Sequence, residues 1–191
     1  MIRIQSPVRS LVALAAAAFV AAPVWAESVE NPVFKTWAGQ KKGTVVTSKM
    51  NTVAGAIKSD ASLINTLVEL TDDVATIEMV TIVASNGMEF KAPATKIEVK
   101  KMIELPAGKT KADFDKPEGL VDQGTETVKV GGVEYKTKWM KIKTTMSGVE
   151  IEAKTWTSDD VPNMLVKMES KGKVMGIESS TTMELVSVKK P

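Results

Sequence analysis

Two adjacent acid pairs, Asp72-Asp73 and Asp159-Asp160, are the first residues in this 191-residue chain that could do chemistry, as oxygen ligands for a hard cation. Both sit where turn chemistry is expected, and neither has the spaced carboxylates of a calcium loop. Glu150 and Glu152 share one face of a strand, and paired carboxylates of that kind can hydrolyse a glycosidic bond when they converge on a cleft. Lys154 continues the same face, so the trio reads as a solvated edge. The thioethers of Met164 and Met168 could take Cu(I), but on a strand they stand on the order of 13 Å apart, too far to chelate one ion. No Gly-x-Ser-x-Gly turn marks a nucleophile. The residues point to no catalytic group and no metal site.

The absences agree. The chain has no His and no Cys, and its only arginines are Arg3 and Arg9. Both lie in a segment that reads as an export signal: a positive start, an apolar run from Leu11 to Ala22, and Val24-Trp25-Ala26 as a cleavage site. That run is shorter than the roughly 20 residues needed to span a bilayer. Cleavage near Ala26 would leave residues 27–191 as an exported domain, periplasmic or secreted, with no transmembrane segment. Its 23 lysines balance 23 acidic residues. A neutral, arginine-free surface argues against nucleic acid as a partner. Without Cys there is no disulfide frame, and a domain of this size can bury a sufficient core without one.

The elements that would position any site are strands. Period-two alternation recurs along the chain, and 19 Thr with many Val, Ile and Met suit a pleated, half-buried surface. One short helix is expected at the start, with Asn31 as cap, Pro32 at its first position, Val33, Phe34 and Trp37 on one face, and Gly39 at its end. Strands are expected at 43–54, 62–71, 74–85, 88–103, 125–130, 133–146, 149–157, 163–171 and 174–189. Turns at Ala54-Gly55, Asp72-Asp73, Asn86-Gly87, Gly131-Gly132, Ser147-Gly148 and Lys171-Gly172 separate them. Sequence neighbours should therefore pair as an antiparallel meander. A long connection over 104–123, rich in Pro, Gly and charge, interrupts it.

Two of these strands change their apolar side. Val133, Tyr135 and Trp139 alternate on one face before Met140, Ile142 and Met146 take the other, and 88–103 shifts similarly around Pro93. Such slips predict β-bulges and a strongly curved sheet. The fold class is thus all-β: a curved antiparallel meander, half-barrel or open barrel, with a short N-terminal helix. The lysines between apolar residues, as in Val128-Lys129-Val130, protect a sheet edge.

From Gly124 to Trp139, through Lys154-Thr-Trp156-Thr-Ser-Asp-Asp-Val-Pro162 and Leu165-Val-Lys-Met-Glu169, to Thr182-Met-Glu-Leu185, the order of residues resembles exported bacterial families of unknown function. Their half-barrels are similar to those of periplasmic lipoprotein carriers. The resemblance spans 124–189 and implies a curved sheet that can hold acyl chains in its hollow.

The expected function is non-catalytic binding of a lipid or other apolar molecule in the cell envelope, with no cofactor. Trp139, Met140, Trp156, Met164 and Met168 are the residues expected to line or rim the hollow. The alternative is a structural or protein-interaction module whose methionines fill an ordinary core.

Overall fold

The computed structural model describes residues 27–85, 88–146, 149–174 and 176–191. The expected export signal and the turns at Asn86-Gly87 and Ser147-Gly148 lie outside the described residues. After β1 (Ser28–Glu30) comes α1 (Pro32–Ala38), formed by the residues that its sequence nominates. The Asn31 side-chain oxygen accepts from the Val33 N–H at 3.0 Å, and its amide donates to the Lys100 carbonyl at 2.9 Å. Pro32 opens the helix where no donor is needed, and Gly39 caps its end.

Eleven further strands follow: β2 (Val45–Ala54), β3 (Ile57–Leu70), β4 (Val74–Ser85), β5 (Met88–Lys91), β6 (Thr95–Lys100), β7 (Met102–Glu104), β8 (Leu120–Val130), β9 (Val133–Met146), β10 (Val149–Thr157), β11 (Leu165–Val174) and β12 (Ile177–Lys189). A five-residue helix, α2 (Lys111–Asp115), lies between β7 and β8. The main sheet is antiparallel in the order β5-β4-β3-β2-β12-β11-β10-β9-β8, and β6 pairs with β4 further along the edge that β5 occupies. β1 and β7 form a separate pair. The fold is therefore two meanders joined at the centre, where β2, the first long strand, lies against β12, the last.

The sheet is curved. β8 and β9 outrun β10 at their hairpin, where both Gly131 and Gly132 adopt the positive φ of a tight turn. This tip reaches across to β12: a Cβ at Gly131 would lie 3.1 Å from the Val186 carbonyl, although three strands separate β8 from β12 in the sheet. Register shifts at Leu67/Glu69, Trp156/Thr157, Leu185/Ser187 and Leu120/Asp122 add the twist that such curvature needs.

Several expectations are corrected. The segment 88–103 is not one bulged strand; it breaks at 92–94 around Pro93 into β5 and β6, and then β7. β9 changes its apolar side with no bulge, because its pairing to β10 runs unshifted from Lys138 to Met146. Only its hairpin end is covered by the core. Tyr135 packs on the core near the hairpin, whereas Met140 and Ile142 face the other way. Lys171-Gly172 is not a turn but part of β11, paired with both neighbours; Gly176, at φ 82°, stands at the turn instead. The long connection is confined to 105–119, since Leu120–Gln123 already belong to β8.

The core lies at one end of the sheet. Phe34 and Trp37 of α1 pack with Val46, Leu67, Ala75, Ile77, Val161, Val166 and Leu185. α1 is thereby an apolar plug, and burying these side chains is the main source of stability.

Candidate functional site

Residues paired across antiparallel strands project to the same side, so the registers sort the side chains of the main sheet into two faces. One face is charged and carries the tryptophans. Trp139 and Trp156 are direct cross-strand partners, and Lys154, two residues before Trp156, shares their side. Its Nζ stands 4.2 Å from the ring centre of Trp139 and 4.4 Å from that of Trp156. The same Nζ is 3.1 Å from Glu126 Oε1, which also accepts from the Trp156 indole N–H. That N–H bond first, and Lys154 second, hold the Glu126 carboxyl below its ordinary value. Beside this cluster, Lys167 bridges Glu169 at 2.8 Å and Glu184 at 3.4 Å, and these acids, Glu169 foremost, raise its pKa.

Trp139 lies over Gly124, its partner on β8. A Cβ there would meet the indole Cε2 and Cζ2 at 2.9 Å. Glu152 on this face pairs with Lys141 at 2.8 Å and Lys143 at 3.5 Å, and these lysines, the Lys141 bond foremost, hold its carboxyl below the ordinary value. β10 is an interior strand, so Glu150, Glu152 and Lys154 are not the solvated edge that their sequence suggests. A depression of about 680 Å³ opens on this face between Val53, Glu150, Glu152, Lys171, Lys173 and Glu178. Among the described residues, no group of three or more His, Cys, Asp or Glu is placed to hold a metal ion. Asp159 meets Lys138 at 3.5 Å in an exposed pair of little energetic weight.

The other face carries the methionines. Met50 pairs with Met183, Met183 with Met168, Met168 with Thr155, and Thr155 with Met140. Toward the far edge the row continues from Met50 to Ala61, Val83 and Phe90. All four methionines are half-buried. The neighbouring row is Ser59, Thr52, Thr181, Ser170, Ala153 and Ile142, small side chains for the most part. The Thr52 and Thr181 hydroxyls lie 3.2 Å apart, which fixes both on this side. No charged residue interrupts either row.

The five residues singled out from the sequence are thus divided. Met140 and Met168 stand on the methionine face, and Trp139 and Trp156 on the charged one. Met164 lies in the corner between β10 and β11 with φ 61°, its carbonyl accepting from Ser158 N–H at 2.8 Å. Sequence reasoning missed Met50 as a neighbour of Met183 and Met168. The contact depends on the β2–β12 pairing, which joins residues more than 100 positions apart and leaves no local trace. Gly124 was legible only as part of a strand; its role is set by the ring opposite.

No family model and no curated protein matches the chain. Among solved structures it is similar to a proposed lipoprotein from Parabacteroides distasonis, at 15% identity and a TM-score of 0.46, over 78% of this chain and 96% of that one. It is similar to a proposed exported protein with a YmcC-like fold from Bacteroides fragilis, at 11% identity and a TM-score of 0.47, over 79% and 97%. A DUF1329 family protein from Desulfovibrio piger is similar at 11% identity and a TM-score of 0.24, over 83% and 90%. At such scores the likeness bears on neither the site nor the activity.

Proposed function

We propose that this is an exported, non-catalytic protein of the cell envelope that binds a lipid or other molecule with an acyl chain on the methionine face of its curved sheet. The observation that carries the reading is the transverse row Met50–Met183–Met168–Thr155–Met140. Its side chains are half-buried, neither packed away with α1 nor fully in water. Unbranched thioethers adapt to an irregular apolar partner at low cost, and the small Thr, Ser and Ala beside them leave room for a chain. In this reading Met50, Met140, Met168 and Met183 touch the ligand. Trp139 and Trp156 brace the sheet from behind, and Met164 shapes the corner next to the site. Nothing in the reading calls for a cofactor or a metal.

The test is saturable uptake of a fluorescent fatty acid by the purified protein and by two variants. A carboxylate at position 168 would have to be desolvated against the chain, so Met168→Glu should weaken binding by at least about tenfold. Met168→Leu keeps volume and polarity and should bind within about threefold of wild type. No uptake by the wild-type protein, with both variants folded, would leave the interaction module as the better reading.

A further inference from the structure

Three of the methionines stand closer together than their places in the chain suggest. Met183 on β12 has Met50 of β2 as its direct partner on one side and Met168 of β11 on the other. Neighbouring strands lie about 4.8 Å apart, so the two outer backbones are separated by about 10 Å, with Met183 midway. Three rotatable bonds let each outer side chain lean over that midpoint. The chelation that one strand denies to Met164 and Met168 is therefore open to Met50, Met168 and Met183 across three strands. Their surroundings carry no charge. Thr52, Thr181 and Ser170 form the neighbouring row on one side, and Leu63, Ser48 and Leu185 lie on the other. All three thioether side chains are half-buried, partly screened from water yet within reach of a small ion.

From this arrangement we infer that Met50, Met168 and Met183 form a binding site for a soft monovalent cation, Cu(I) foremost. Thioether sulfur is a soft, uncharged donor and selects Cu(I) over Zn(II) or Ca(II). These rows hold no carboxylate, imidazole or thiolate. Nothing there offsets the second charge of a divalent ion, and a poorly compensated charge is costly to bury. Met140 stands outside the trio, because Thr155 separates it from Met168. The inference is independent of the ligand reading of the same face. It needs sulfur at three positions, whereas an acyl chain needs only adaptable apolar volume.

The experiment titrates the purified protein, labelled with carbon-13 at its methionine methyls, with Cu(I) held reduced by ascorbate under argon. A chromophoric Cu(I) chelator competes for the ion, and Ag(I) serves as a redox-inert counterpart. The methyl signals of Met50, Met168 and Met183 should shift together and saturate at a single ion per chain. Those of Met88 and Met102, which are 73% and 46% exposed, should stay in place. Zn(II) should move none of them. Met183→Leu conserves volume but removes the central sulfur, so it should weaken Cu(I) binding at least about thirtyfold. An unchanged urea midpoint in that variant shows that the lost ion reflects lost sulfur and not a lost fold. No uptake of Cu(I) or Ag(I), uptake that Met183→Leu leaves unchanged, or shifts led by Met88 and Met102 overturns the inference. Fatty-acid uptake should persist in Met183→Leu within about threefold of wild type. Failure of both proteins to take up fatty acid overturns the ligand reading alone, and the methyl shifts still decide the metal site.

Discussion

A Cβ at position 124 would collide with the Trp139 indole, so the ring can lie over β8 only because that residue is glycine. In turn the ring offers Lys154 one of its two aromatic faces, and Lys154 meets Glu126, which also holds the Trp156 N–H. Each contact is modest at a half-exposed site, with a cation over an indole contributing about 0.5–1 kcal/mol. Together they fix the faces of β8, β9 and β10. The network predicts an acid-sensitive sheet. The folded Glu126 carboxyl titrates below its ordinary value of 4.5, so its contribution is present above that value and is lost as pH falls through the folded value. Tryptophan emission followed in a Trp37→Phe background should therefore shift only as pH falls below the ordinary carboxylate value of 4.5. Replacing Glu126 by Gln should remove that shift; an identical acid transition in the Gln variant would show that the network contributes nothing. Of this cluster the sequence revealed the two tryptophans but not their company, since a glycine or a glutamate in a strand acquires its role from the opposing strand.

At the scale of elements, local signals specify some elements and mislead at others, as at Lys171-Gly172 inside β11, and long-range pairing leaves no local signal. Asn31, Pro32 and Gly39 specify α1 through contacts within a few residues, and the Gly131-Gly132 hairpin follows from two positive φ angles. The pairing of β2 with β12 has no such signature, and it is what assembles the methionine row. The face change in β9 was visible as a pattern, but its cause was not. The core covers Tyr135 at one end of a regular strand, while Met140 and Ile142 lie on its opposite side further along, and periodicity alone cannot tell that from a bulge. The two rival readings of the methionines separate here. Leu67, fully buried against α1, should cost about 2–5 kcal/mol on truncation to Ala, the usual range for a core leucine. Met183 is half-buried on the open row, and Met183→Ala should cost under about 1.5 kcal/mol in the unliganded protein. Urea denaturation of both variants checks this, and equal losses would place the row in the core.

Across the whole molecule the chain divides its labour by end and by face. One end is plugged by α1 and stabilises the fold, whereas Ile57, Met88 and Ile177 stay exposed at the other. One face is laced with Lys–Glu pairs, and the other carries thioethers and small hydroxyls without a charge in its two central rows. Among the described residues no helix is long and apolar enough to cross a membrane. The chain has no His and no Cys, and its only arginines are Arg3 and Arg9. The most direct measurement is a native mass spectrum of the protein purified without organic solvent or harsh detergent. The account predicts a second peak series heavier by the mass of a lipid or fatty acid, diminished in Met168→Glu and retained in Met168→Leu. A single unliganded mass in all three proteins, with no adduct after incubation with fatty acid, would contradict it.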